Sequence, residues 1–316
     1  MRVAVLDDYQ GVALDSADWG PVRERAEVRV FRDHQADEDA VAARLEPFEV
    51  VVAMRERTPF PASLLRRLPR LRLLVTTGMR NASIDVAAAR ELGVTVCGTA
   101  GSAAATPELT WGLLLSLARG IPDEVASVRD GGWQRGVGFE LEGAALGILG
   151  LGRIGKRVAG YARAFGMDVL AWSTNLTPED AAAHGARYVG KDELFAASDA
   201  VTVHLQLSDR TRGLVGRPEL ELLGPRGYLV NTSRGPIVDE DELVAALRDG
   251  RIAGAALDVF DTEPLPAAHP LRTLPTALVT PHIGYVSRGT YATFYGEAVA
   301  DIAAWLDGAP LREVQG

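Results

Sequence analysis

The sequence predicts an α/β fold built as two doubly wound parallel sheets, and three observations predict it. Short runs rich in Val and Leu alternate with longer amphipathic segments along the chain. Those runs form two successive sets, separated by a long helix-like stretch. The second set opens on a strand-like run followed by a glycine-rich turn. Runs this short and this uniformly apolar suit strands buried on both faces, as in a parallel sheet covered by helices.

The first set comprises residues 3–6, 28–31, 50–53, 73–76 and 94–96. The second comprises 145–149, 169–172, 200–205, 228–231, 255–259 and 277–280. Between them, residues 99–119 read as one long helix with Pro107 near its first turns. Gly131-Gly132-Trp133 then breaks the pattern. After the last run, residues 287–306 read as a final amphipathic helix that can pack back on the first set. The expected division is therefore 1–98 plus 287–316 for one domain and 99–286 for the other.

Bulk properties narrow the function. At 316 residues the chain has room for two domains, each with its own core. A net charge of −9 argues against nucleic acid as a partner. The single cysteine, Cys97, cannot form an intrachain disulfide, so a reducing cytoplasm is the expected compartment. Met1 runs straight into a strand-like segment with no leader pattern. No stretch approaches the roughly 20 apolar residues of a membrane span. No metal site is expected.

Gly150-Leu-Gly152-Arg-Ile-Gly155 is a G-x-G-x-x-G fingerprint in a specific context, after one strand and at the start of a helix. Gly150 allows the tight turn and Gly152 lets a pyrophosphate approach the backbone. Gly155 lets helix and strand pack closely, and the helix N-terminus offers N–H donors to phosphate. At the end of the next strand, where an acid would hold the adenosine ribose, the chain has Ser173. A neutral residue there admits NADP, but no arginine stands beside it, and NAD is the expected cofactor.

Ligands in such sheets bind beyond the carboxyl ends of the strands. The residues just after the strands of the second set are Ser173, His204, Asn231-Thr232-Ser233-Arg234-Gly235, Asp258 and His282. This collection suits reduction of a 2-keto acid. Arg234 offers a permanent charge with a fork of donors. His282 can donate and accept a proton near neutrality. Glu263, in the Asp-Thr-Glu-Pro turn, is the candidate carboxylate to orient it.

The segments Leu149-Gly-Leu-Gly-Arg-Ile-Gly155, Asn231-Thr-Ser-Arg-Gly235, Asp258-Val-Phe-Asp-Thr-Glu-Pro264 and Thr280-Pro-His-Ile-Gly284 together resemble the D-isomer-specific 2-hydroxyacid dehydrogenase family. The resemblance implies a Rossmann cofactor domain inserted in a flavodoxin-like substrate domain, with the two domains around a cleft. It implies that Arg234, Glu263 and His282 form the catalytic set. Asp258 would bind the nicotinamide carboxamide, and Arg153 and Ile154 the pyrophosphate. Ser173, His204, Thr232, Ser233 and Gly284 join the glycines in the expected cofactor set.

In the first domain, Gly78, Met79 and Arg80 match the loop that binds the substrate carboxylate through backbone N–H groups. Arg55 matches a position near the substrate. Arg55, Arg57 and Arg80 would also suit a second anionic group. The family is usually dimeric through the cofactor domain, and the 99–119 helix is the expected contact. The chain departs from the family pattern at Ser173, at Arg80 in place of a common glycine, and at Gln206 in place of proline. Two alternatives share the fold. A formate dehydrogenase-like enzyme would pair the histidine with Gln, against which Glu263 stands. A corepressor-like dinucleotide sensor could dispense with the catalytic set.

Overall fold

The computed structural model describes residues 1–315. It divides into two compact units, Met1–Ser102 with Val286–Gly316, and Ala103–Tyr285.

The first unit carries a five-stranded parallel sheet of β1 (Arg2–Val5), β2 (Glu27–Val30), β3 (Val50–Ala53), β4 (Leu73–Thr76) and β5 (Thr95–Gly98). Their spatial order is β2-β1-β3-β4-β5. β3, all apolar, and β4, apolar but for Thr76, are buried along their whole length. Asp37 and Asp85 start the helices Glu38–Leu45 and Val86–Glu91 by accepting from Ala40 and Ala88 N–H. The helix Arg288–Leu306, capped by Ser287, belongs to this unit and packs on β4. The chain end returns to β5, where Val314 N–H donates to Val96 O.

The second unit carries a seven-stranded parallel sheet of β6 (Ala145–Leu149), β7 (Asp168–Trp172), β8 (Arg187–Tyr188), β9 (Ala200–Val203), β10 (Tyr228–Asn231), β11 (Gly254–Leu257) and β12 (Ala277–Val279). Its order is β12-β11-β10-β9-β6-β7-β8, with the reversal between β6 and β9. Alternate residues enter opposite cores. Val201, Val203, Leu229 and Leu257 pack into one cluster, and Ala200, Val230 and Ala256 into the other. Both faces are thereby covered, the Rossmann arrangement.

Several expected elements differ. The long helix begins at Ala105, not at 99. Thr99 N–H donates to Thr76 O and so continues the β4–β5 ladder instead. Gly120, at φ +60°, ends that helix in a left-handed cap, and a further helix, Ile121–Arg129, follows at once. The two-residue β8 is too short and too exposed to show in an apolar pattern. Among the described residues no helix is long and apolar enough to cross a membrane.

Candidate active site

Three successive strands of the second unit end on the candidate residues. After β12, the turn 280–284 folds back over Asp258, which follows β11. The Asp258 carboxylate is fully buried. It accepts from Thr280 Oγ1 at 2.6 Å, Ile283 N–H at 2.8 Å and Gly284 N–H at 2.7 Å. Burial pushes its pKa above the ordinary value, while these donors and the neighbouring His282 pull the other way. Asp258 therefore clamps the turn that carries His282. That residue sits in the left-handed region, at φ +52°, and strained backbone of this kind persists only where its surroundings fix it.

The His282 ring is held from a second side. Its Nδ1 lies 2.5 Å from Glu263 Oε2, and the other carboxylate oxygen of Glu263 accepts Phe260 N–H at 3.0 Å. Both side chains stay partly open to solvent, so the pair is reachable. The Tyr285 ring stands 5.5 Å away at 70°. Sequence reasoning brought Glu263 and His282 forward, and the fold brings them together.

Arg234 follows β10 in a loop shaped by Asn231. The Asn231 side chain accepts from Ser233 N–H and donates to Arg234 O, both at 3.0 Å. Gly235 explains how closely this loop approaches the Glu263 segment. A Cβ there would lie 2.1 Å from the Phe260 carbonyl carbon. Ser233 Oγ donates to Leu205 O, tying the loop to the end of β9. Thr232 meets Thr110 at 2.8 Å, and Thr106 donates to Gly284 O at 3.0 Å. These two supports were not anticipated. Their only trace in sequence is the i, i+4 spacing, which sets both threonines on one helix face.

The glycine loop lies at the reversal between β6 and β9. Gly150 has φ +107°, and a Cβ on it would come within 2.9 Å of the His204 backbone. A Cβ on Gly155 would meet Gly150 O at 2.2 Å, whereas Gly152 has open space around it. Helix Arg153–Ala164 starts directly after it, so its first N–H groups have no partner within the helix. His204 is half-buried here, and burial pulls its imidazole down to about 3. Its Nε2 is buried without a hydrogen-bond partner among the described residues. Ser173 follows β7 at the same edge, and Asp168 lies at the far end of that strand. A close-approach glycine cradle with an orphaned polar atom beside it fits a dinucleotide.

In the first unit, Gly78 follows β4 at φ +109°. A Cβ on it would fall 1.8 Å from Arg55 Nη1. Arg55, at φ +51°, is clamped to this loop. Its N–H donates to Thr77 Oγ1 and its guanidinium to Thr77 O, while Asn81 donates to its carbonyl. Met79 and Arg80 are exposed, and among the described residues their N–H groups meet no protein acceptor. Among the described residues no group of three or more His, Cys, Asp or Glu could hold a metal.

Residues 111–284 match the family model for the D-isomer specific 2-hydroxyacid dehydrogenase, NAD binding domain. The glyoxylate reductase of Aeropyrum pernix is 41% identical over 255 residues, covering 78% of this chain and 76% of that protein. The D-3-phosphoglycerate dehydrogenase of Methanocaldococcus jannaschii is 38% identical over 74% of this chain but only 45% of its own length. This chain thus spans about half of that longer relative. The crystal structure of a phosphoglycerate oxidoreductase from Vibrio cholerae superposes with a TM-score of 0.93 at 37% identity, covering 98% of this chain and all of that one. The chain belongs to the D-isomer specific 2-hydroxyacid dehydrogenase family, and its second unit carries that family's NAD-binding domain.

Proposed function

We propose that the chain interconverts small 2-keto acids and D-2-hydroxy acids, with Arg234 holding the substrate and His282 moving the proton. The 2.5 Å contact between His282 and Glu263 carries this reading. A carboxylate on Nδ1 fixes the ring's orientation and tautomer, leaving Nε2 to act. In reduction, Nε2 gives a proton to the keto oxygen; in oxidation, it takes the proton from the hydroxyl. Arg234 pairs with the substrate carboxylate and polarises the keto oxygen through its planar fork of donors. Bound NAD supplies the hydride in its reduced form and accepts it in its oxidised form.

The cofactor is held by Gly150, Gly152 and Gly155 with the N–H groups of Arg153 and Ile154. His204, Thr232, Ser233 and Gly284 line the same strand-end edge of the second unit. Asp258 is the expected acceptor for the nicotinamide carboxamide. Ser173 places no carboxylate against a 2′-phosphate, so NADP is accepted alongside NAD. The first unit acts as the substrate domain. The N–H groups of Met79 and Arg80 hold the carboxylate, with Arg55 bracing the loop.

The test is His282→Ala assayed with a panel of 2-keto acids, using NADH and then NADPH. Turnover is expected to fall at least about 100-fold, the scale of a lost general acid, with NADH binding retained. Near-wild-type turnover across pH would remove His282 from the mechanism.

A further inference from the structure

We infer that Arg312 is a positioning residue for the substrate loop: it anchors segment 312–314 against β5, and that segment braces the backbone of Gly78 and Met79. This rests on the functional reading above, in which the N–H groups of Met79 and Arg80 hold the substrate carboxylate. Amides hold an anion well only where the backbone that carries them is already fixed. Arg55, Thr77 and Asn81 fix one side of the loop. Its other side rests on the end of β5.

Gly98, the last residue of β5, has no room for a side chain. A Cβ there would stand 2.9 Å from Gly78 O, 3.0 Å from Met79 Cα and 3.1 Å from Val314 Cγ2. The loop backbone and the Val314 side chain thus close over the same spot. Thr99 follows, and its Oγ1 accepts Gly78 N–H at 3.0 Å. Segment 312–314 runs antiparallel to β5. Gly98 N–H donates to Arg312 O at 3.0 Å, and Val314 N–H donates to Val96 O at 2.8 Å.

Arg312 enters this pairing at a left-handed φ of +49°. A residue with a side chain keeps that conformation only where its surroundings hold it. Here the helix Arg288–Leu306 does so. Arg312 Nη2 lies 2.9 Å from Asp301 Oδ1 and donates to Glu297 O at 2.9 Å. Asp301 is fully buried, and burial pushes its carboxyl up to about 6 against the pull of Arg312. A buried carboxylate is costly without a counter-charge, so the guanidinium is retained. Glu297 is used twice, because its carboxylate also accepts Ala100 N–H at 2.6 Å. Thr99 Oγ1 in turn donates to Ala100 O at 3.0 Å. One continuous set of bonds therefore runs from Asp301 through Arg312, Glu297, Ala100 and Thr99 to Gly78.

The experiment compares the wild type with Arg312→Met, Arg312→Lys and Val314→Gly. It measures steady-state kinetics with glyoxylate and pyruvate, and amide hydrogen exchange over residues 77–81. Arg312→Met is expected to raise KM for the 2-keto acid at least about fivefold, with kcat within about twofold and NADH affinity unchanged. The split is expected because the loop holds the substrate while His282 moves the proton. Exchange over 77–81 is expected to quicken. Arg312→Lys keeps a charge opposite Asp301 and is expected to recover most of the loss. Val314→Gly leaves every charge paired and is expected to shift KM and exchange in the same direction by less. If Arg312→Met does not fold, Val314→Gly decides by the same two measurements. A lower kcat at unchanged KM is what a merely structural role would give. That result, or unchanged exchange over 77–81, would overturn the positioning role and leave the functional reading intact. Absence of turnover by the wild type on every 2-keto acid would overturn both.

Discussion

Two histidines in the second unit show how environment, rather than residue type, assigns a role. His282 stands partly open, with a carboxylate on Nδ1 and a ring beside it. His204 is likewise half-buried overall, but its Nε2 is shut away from solvent, and burial draws the ring from 6.5 to about 3. A ring that burial holds neutral is poorly suited to donate a proton. The depressed value has a consequence for stability. Between about pH 6.5 and pH 3 the unfolded chain binds a proton at this site and the folded chain does not. Stability therefore falls as pH drops through that window, by about 2 kcal/mol at pH 5. His204→Leu removes the titrating group. Urea midpoints at pH 7.5 and pH 5 should show a smaller acid loss in the variant, and parallel losses in both proteins would contradict the assignment.

At the scale of elements, the site depends on how closely loops can approach. Gly235 is the clearest case, because a Cβ there meets the Phe260 carbonyl group at 2.1–2.3 Å, where backbone cannot easily yield. Gly235→Ala is expected to push the Arg234 loop off the Phe260–Glu263 segment. The cost is about 1–3 kcal/mol of stability, the range for overpacking, with a larger relative loss of turnover than of folded protein. Thermal melting and single-substrate kinetics read both, and unchanged values in each would mean the loops are not coupled. Much of this was legible beforehand. Buried parallel strands leave continuous apolar runs, and turns that need close approach leave glycines. Asn231, Arg234, Glu263 and His282 follow strands whose ends the pattern locates. What stayed hidden depends on partners distant in sequence. The helix read from 99 starts at Ala105 because Thr99 bonds to β4, which periodicity cannot show. The support of Arg57 by Asp7, and of Thr232 by Thr110, likewise arises only once separate elements meet.

At the scale of the whole molecule, the distribution of apolar surface bears on assembly. The helix Ala105–Arg119, the expected contact between subunits, directs Trp111, Leu113, Leu114 and Ala118 into the core of its own unit. The next helix differs. Ile121, Val125 and Val128 are exposed on one side of it, and Trp133 and Val137 are more exposed still. Apolar side chains clustered this way on a domain surface mark an interaction surface. A second copy of the chain is the expected occupant. A contact on this surface is expected to centre on 121–137. Replacing Val128 and Trp133 together with Glu puts two charges in the centre of that surface, where desolvation makes them costly. Light scattering after gel filtration should show two chains per particle in the wild type and one in the double variant. A wild type that is monomeric at micromolar concentration, or a variant that stays dimeric, would place any assembly on another face.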